Sequence, residues 1–165
     1  MKSVKIVALA GGLAMLLMGC PYESKIALGP AENSKPDKDM TGTFTEKDAE
    51  SYTWTCKLEG SQYRIEKKNT EESESEPTIY IGWLTDVGGT PFLNVYEQDY
   101  ESEKKYYFYR FEKKSIERFK FKAVTDNITE EFATSEELKA FVKKNMELSF
   151  FYNKDDEKTF YREDD

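Results

Sequence analysis

The 165-residue chain contains no histidine, two cysteines and five prolines, and its longest apolar run is 13 residues. Without histidine there can be no Ser-His-Asp or Cys-His nucleophile and no imidazole-ligated zinc or copper site. Cys20 and Cys56 are too few for a thiolate cage. No phosphate-cradling loop is present. Gly88-Gly89 has no lysine-serine partner and no following helix, so it reads as a turn between two strands. Neither a metal nor a cofactor is expected. Carboxylates are the only remaining acid-base groups. Paired acids can hydrolyse glycosides, but 32 Asp and Glu residues make some plausible pair inevitable, and the chain is read as noncatalytic.

The apolar run, Ile6 to Met18, follows Lys2 and Lys5 and ends at Gly19. A basic start, a short apolar stretch and a small-residue end describe a secretory signal. A membrane-spanning helix needs about 20 apolar residues, so the run is too short to be one. Leu17-Met18-Gly19-Cys20 resembles the lipobox of bacterial lipoproteins, whose peptidase cuts before the cysteine. The resemblance implies that Cys20 carries a diacylglycerol on sulfur and an acyl chain on its new amino group. The other reading is a plain secretory signal that ends beside a cysteine. Buried methylenes contribute about 0.8 kcal/mol each, and two or more chains hold firmly, so the expected partner of Cys20 is the bilayer. By the enterobacterial sorting rule, an aspartate after the cysteine retains a lipoprotein in the inner membrane. Pro21 stands there, which points to the outer membrane.

Residues 1–19 carry two lysines and no acid. The remainder therefore has 22 basic and 32 acidic side chains, a balance of −10. Such a surface repels nucleic acid. Residues 21–40 contain three prolines, few apolar side chains and no periodicity. They read as a flexible tether with an end-to-end distance of ~25 Å. The expected organisation is a signal over 1–19, a lipidated cysteine and tether over 20–40, and a single β-rich domain over 41–165.

Within that domain, short alternating segments recur at 41–45, 51–58, 61–67, 78–85, 91–97, 105–111 and 116–124, separated by turn signals. Regular spacing with hairpin-length gaps predicts an antiparallel meander, mainly β, of about eight strands closed into a barrel. Tyr52, Trp54, Cys56 and Leu58 share one face of their strand, which makes Cys56 a buried core residue. Thr134-Ser135-Glu136-Glu137 forms a capping box, with Leu138, Phe141, Val142 and Met146 on one helical face. A helix is predicted over 135–145, followed by a strand or strand pair at 147–152 and 158–162. The acidic stretch Asn69 to Glu76 lacks the ligand spacing of a calcium loop and reads as a solvated hairpin loop.

Three motifs carry a further resemblance: Cys20-Pro21-Tyr22-Glu23-Ser24-Lys25, Asp86-Val87-Gly88-Gly89-Thr90-Pro91-Phe92-Leu93-Asn94-Val95, and Glu131-Phe132-Ala133-Thr134-Ser135-Glu136-Glu137-Leu138-Lys139. With them the chain resembles a group of small lipoproteins from Bacteroidetes-type bacteria. The resemblance implies an anchor but no activity. Thr41-Gly42-Thr43-Phe44 is also similar to the Gly-x-Trp opening of lipocalins, with Phe44 in the place of tryptophan. Lipocalin-like proteins are eight-stranded barrels with a helix near the C-terminus that hold one small ligand.

All 24 aromatic residues follow the signal. Aromatic side chains line apolar pockets and stack on sugars. Trp83, Tyr96, Tyr107 and Tyr109 are the candidate ligand-binding residues, on strands where neighbouring aromatics must face opposite ways. The expectation is a lipid-anchored binding module for a small apolar or glycan ligand. The competing reading is a structural lipoprotein that docks another envelope protein, and a carboxylate enzyme ranks third.

Overall fold

Strand alternation closes the chain into a barrel. The computed structural model describes residues 21–72 and 74–163. Cys20 and the signal segment, with Ser73, Asp164 and Asp165, lie outside the described residues. Eight antiparallel strands follow one another around the barrel in chain order: β1 (Gly42–Glu46), β2 (Tyr52–Glu59), β3 (Gln62–Asn69), β4 (Thr78–Val87), β5 (Thr90–Glu97), β6 (Tyr107–Lys113), β7 (Arg118–Val124) and β8 (Tyr152–Arg162). β8 pairs back onto β1 through Phe44–Arg162, Thr45–Tyr161 and Glu46–Phe160. Closure removes free sheet edges. Gly88 and Gly89, at φ of 63° and 91°, make the two-residue β4–β5 turn, a left-handed backbone that suits glycine. Asp86 Oδ1 accepts the Gly89 N–H at 3.1 Å.

One helix, α1 (Ser135–Asn145), lies late in the chain. Its cap is the predicted one. Thr134 Oγ1 accepts the Glu137 N–H at 3.2 Å. Glu137 Oε2 reaches one residue further back than a standard capping box and accepts the Ala133 N–H at 3.0 Å. The last elements differ from expectation. β8 is one strand of 11 residues, and residues 149–151 form a 3-10 turn before it. The charged run Asn153 to Lys158 stays in the strand because β7 holds it at both ends, through Val124–Tyr152 on one side and Lys122–Glu157 and Phe121–Lys158 on the other, with a register shift between them.

The larger correction concerns residues 21–40. Instead of a flexible tether, they form a strap packed along the barrel. The Leu28 N–H donates to Asn94 Oδ1 at 2.8 Å, and Leu28 is buried. Gly29 O accepts from Trp83 Nε1 at 2.9 Å. β3 stops pairing with β4 at Tyr63–Gly82. Past that point Ser34 Oγ accepts the Leu84 N–H at 3.2 Å, supplying the partner that an open strand edge would lack. Tyr63 Oη donates to Asp37 O at 3.0 Å and accepts the Asp37 N–H at 2.6 Å. Met40 then plugs that end of the barrel. The segment escapes a periodicity search because it is held by single residues and backbone hydrogen bonds, with no repeating apolar face.

Two apolar clusters result. The inner one fills part of the barrel and includes Phe44, Cys56, Tyr63, Leu93, Phe111, Phe119 and Phe160. The outer one lies between the outside of β4–β7 and a cover made by α1 and the strap. Val87, Phe92, Phe108 and Val124 meet Leu28, Leu138, Val142 and Phe151 there.

Candidate functional site

The inside of the barrel is hollow. A cavity of about 220 Å3 lies within it. Met40, Phe44, Cys56, Leu93, Val95, Phe119 and Phe160 are the buried part of its lining, and Trp54, Ile65, Tyr80, Tyr109 and Phe121 are the half-buried part. Alternation places them: Trp54 and Cys56 on β2, Ile65 and Lys67 on β3, Phe119 and Phe121 on β7. The wall aromatics support one another edge to face, with Trp54 against Phe160 at 5.4 Å and Phe121 against Phe160 at 5.6 Å between ring centroids. Trp54 also stacks on Tyr80 at 6.1 Å.

Polar groups gather at the end where β1 finishes and β2 begins. Glu46 is buried and takes Lys158 Nζ at 2.8 Å. Asp156 lies 3.8 Å from the same ammonium, and burial pushes its carboxyl pKa up. Lys67 is held differently. Its ammonium lies 4.1 Å from the Tyr52 ring centroid and 5.1 Å from that of Trp54, a cation–π arrangement. Among the described residues it makes no ion pair. Burial, and then the charge of Lys158, lower its pKa, partly offset by Glu46. Trp54 Nε1 is buried with no hydrogen-bond partner among the described residues. Burial raises the pKa of the Tyr80 and Tyr109 hydroxyls. Burial also pushes the Cys56 thiol to about 12, so it stays protonated.

The four aromatic residues expected to bind ligand do not come together. Tyr109 is in the cavity wall. Tyr107 lies two residues towards the rim on the same strand face, and its hydroxyl donates to Glu23 Oε1 at 3.0 Å. Trp83 and Tyr96 are on the outside of the barrel, buried edge to face against Tyr106. A second cavity of about 380 Å3 passes over these rings, but their faces are already covered. The residues missed, Trp54, Lys67, Tyr80, Phe121 and Phe160, share a signal. Each lies at an even offset from an inward residue of its own or a paired strand, starting from the Tyr52-Trp54-Cys56-Leu58 face. Among the described residues, no group of three or more Cys, Asp and Glu side chains could hold a metal ion.

The fold and this cavity define a hollow eight-stranded antiparallel meander barrel. No family model matches the chain, no curated protein is significantly similar to it, and no solved structure matches its fold.

Proposed function

We propose that the chain is a membrane-anchored, noncatalytic binding module whose barrel holds one small apolar molecule with an anionic end. The observation that carries this reading is the apolar hollow with Lys67 at its polar end, making no ion pair among the described residues. An unfilled apolar cavity forfeits dispersion attraction along its lining, and an occupant restores it. An engineered apolar cavity of about 150 Å3 admits benzene, so this one has room for a ring with a short chain. It is smaller than the ~300 Å3 at which drug-sized sites begin. A sugar would leave many hydroxyls facing Phe, Leu and Val side chains, which favours the apolar half of the expectation over the glycan half. A half-buried cation that faces only aromatic rings lacks an opposite charge, and a carboxylate meeting Lys67 would supply one.

The test is thermal stabilisation of the purified chain by octanoic and phenylpropionic acids, their amides, and a set of envelope oligosaccharides. The acids should raise the melting temperature most, the amides less and the sugars not at all. Equal shifts from acid and amide would remove Lys67 from the reading. No shift from any apolar probe would remove the carrier itself.

A further inference from the structure

We infer that the barrel sits directly on the lipid surface, with Phe150 and Leu148 dipping into the headgroup region beside the anchor. The inference rests on the reading of Cys20 as the acylated residue. The strap places residue 21 firmly. Pro21 bridges Thr125, the Tyr22 N–H donates to Val124 O at 2.9 Å, and Ser24 exchanges backbone hydrogen bonds with Tyr106 at 2.7 and 3.0 Å. Cys20 is one peptide bond away from Pro21 in the chain. An anchor so close to a fixed backbone has no slack with which to lift the domain away from lipid.

What lies beside that point is apolar. The Thr125 N–H donates to Phe151 O at 3.0 Å, so Pro21, Thr125 and Phe151 lie side by side at roughly the 4.8 Å spacing of paired strands. Phe150 is next in the chain and is 71% exposed, and Leu148 in the same turn is 39% exposed. Tyr100, 63% exposed, lies in the β5–β6 connection at the same end of the barrel. Aromatic and leucine side chains are the residues that enter the interface between headgroups and acyl chains. An acyl anchor one residue away holds lipid near this turn at an effective concentration no soluble partner matches, which selects the bilayer as its occupant. The acidic surface favours zwitterionic lipid over strongly anionic lipid. The polar rim with Lys67 and Lys158 is at this same end, so a ligand would pass between bilayer and cavity over a short path.

The test uses the full acylated chain, purified from membranes and placed in phosphatidylethanolamine vesicles with brominated acyl chains. Phe150→Trp adds a tryptophan beside the anchor, and Ile116→Trp adds one in the exposed β6–β7 turn at the opposite end. Wild-type emission from Trp54 and Trp83 is the baseline. The added emission of Phe150→Trp should be quenched at least twofold more than that of Ile116→Trp. Equal, weak quenching in both, with an intact mass that shows the acyl chains, would overturn the seating and leave the anchor standing. A mass without acyl chains would overturn the anchor reading and the seating together.

Discussion

The two apolar clusters, inside the barrel and outside it, use the same kinds of residue and differ in how their polar groups are satisfied. In the outer cluster the buried polar groups are used. Asn94 is fully buried, accepts from the Leu28 N–H and donates through Nδ2 to Trp83 O at 3.1 Å and Thr85 Oγ1 at 2.9 Å. Trp83 Nε1 reaches Gly29. In the inner cluster Trp54 Nε1 is buried without a hydrogen-bond partner, and the half-buried Lys67 ammonium faces aromatic rings and makes no ion pair among the described residues. Buried polar groups are nearly always paired. An apolar region that satisfies them behaves as structural core, and one that leaves a buried ring N–H unmet beside a void behaves as a place for something else.

The largest expected effect tests that contrast directly. Phe108→Ala in the filled outer cluster should cost about 3–5 kcal/mol, while Phe121→Ala in the hollow wall should cost well under about 3 kcal/mol. A ring packed on every side leaves a new void when it is removed, whereas a ring that already borders a void gives up less packing. Urea unfolding of both variants measures the difference, and equal losses would erase the distinction. Next, Asn94→Ala should cost about 1–3 kcal/mol by leaving the Leu28 N–H unpaired. It should also release the strap, read as faster proteolytic cutting within residues 21–40. In the wild type that segment should resist a protease as a packed element does.

Lys67→Met should weaken binding of the acid probe about tenfold, ~1.4 kcal/mol, while changing stability by less than about 1 kcal/mol. A loss of stability with unchanged affinity would make Lys67 a structural lysine. A pH prediction comes from the outer surface of β6 and β7. Burial raises the Glu112 pKa, but hydrogen bonds from Lys114 and Lys122 outweigh it and bring it to about 2. The native carboxylate therefore releases its proton more readily than the unfolded one. Its stabilisation is complete above about pH 4.5 and is lost as pH falls towards 2. Solvent screening limits the effect to about 1 kcal/mol. Glu112→Gln should flatten that part of the stability–pH curve. The smallest effect concerns Cys56: a water-soluble thiol reagent should modify it slowly in the native state and quickly in denaturant. Rapid native modification would show that the hollow opens freely to water.

Much of the fold is legible in the chain itself. Regular alternation marks seven strands to within a few residues, and Thr134 with Glu137 marks the start of α1. The Tyr52-Trp54-Cys56-Leu58 face reads as core, and Cys56 is buried. β8 reads as two pieces because its charged middle has no apolar alternation, although β7 pairs on both sides of it. The strap reads as a tether because Leu28, Met40 and Asn94 carry its attachment and nothing repeats between them. The candidate site is the least legible part. Tyr109 and Tyr107 share the inner face of β6, but Trp83 lies on the outer face of β4 and Tyr96 on that of β5.

Sequence by itself determined the periods: two along the strands and near 3.6 along the helix. It also supplied the cap, the turn glycines and the lack of histidine chemistry, each a property of adjacent residues or of composition. Tertiary structure alone decided which strand faces look inward, that the inside is left hollow, that the proline-rich strap closes one end, and that Pro21 lies next to the exposed turn at Phe150. Those outcomes depend on distances between residues far apart in the chain. A period-two pattern is unchanged when its two faces are exchanged, so only closure of the barrel distinguishes inside from outside.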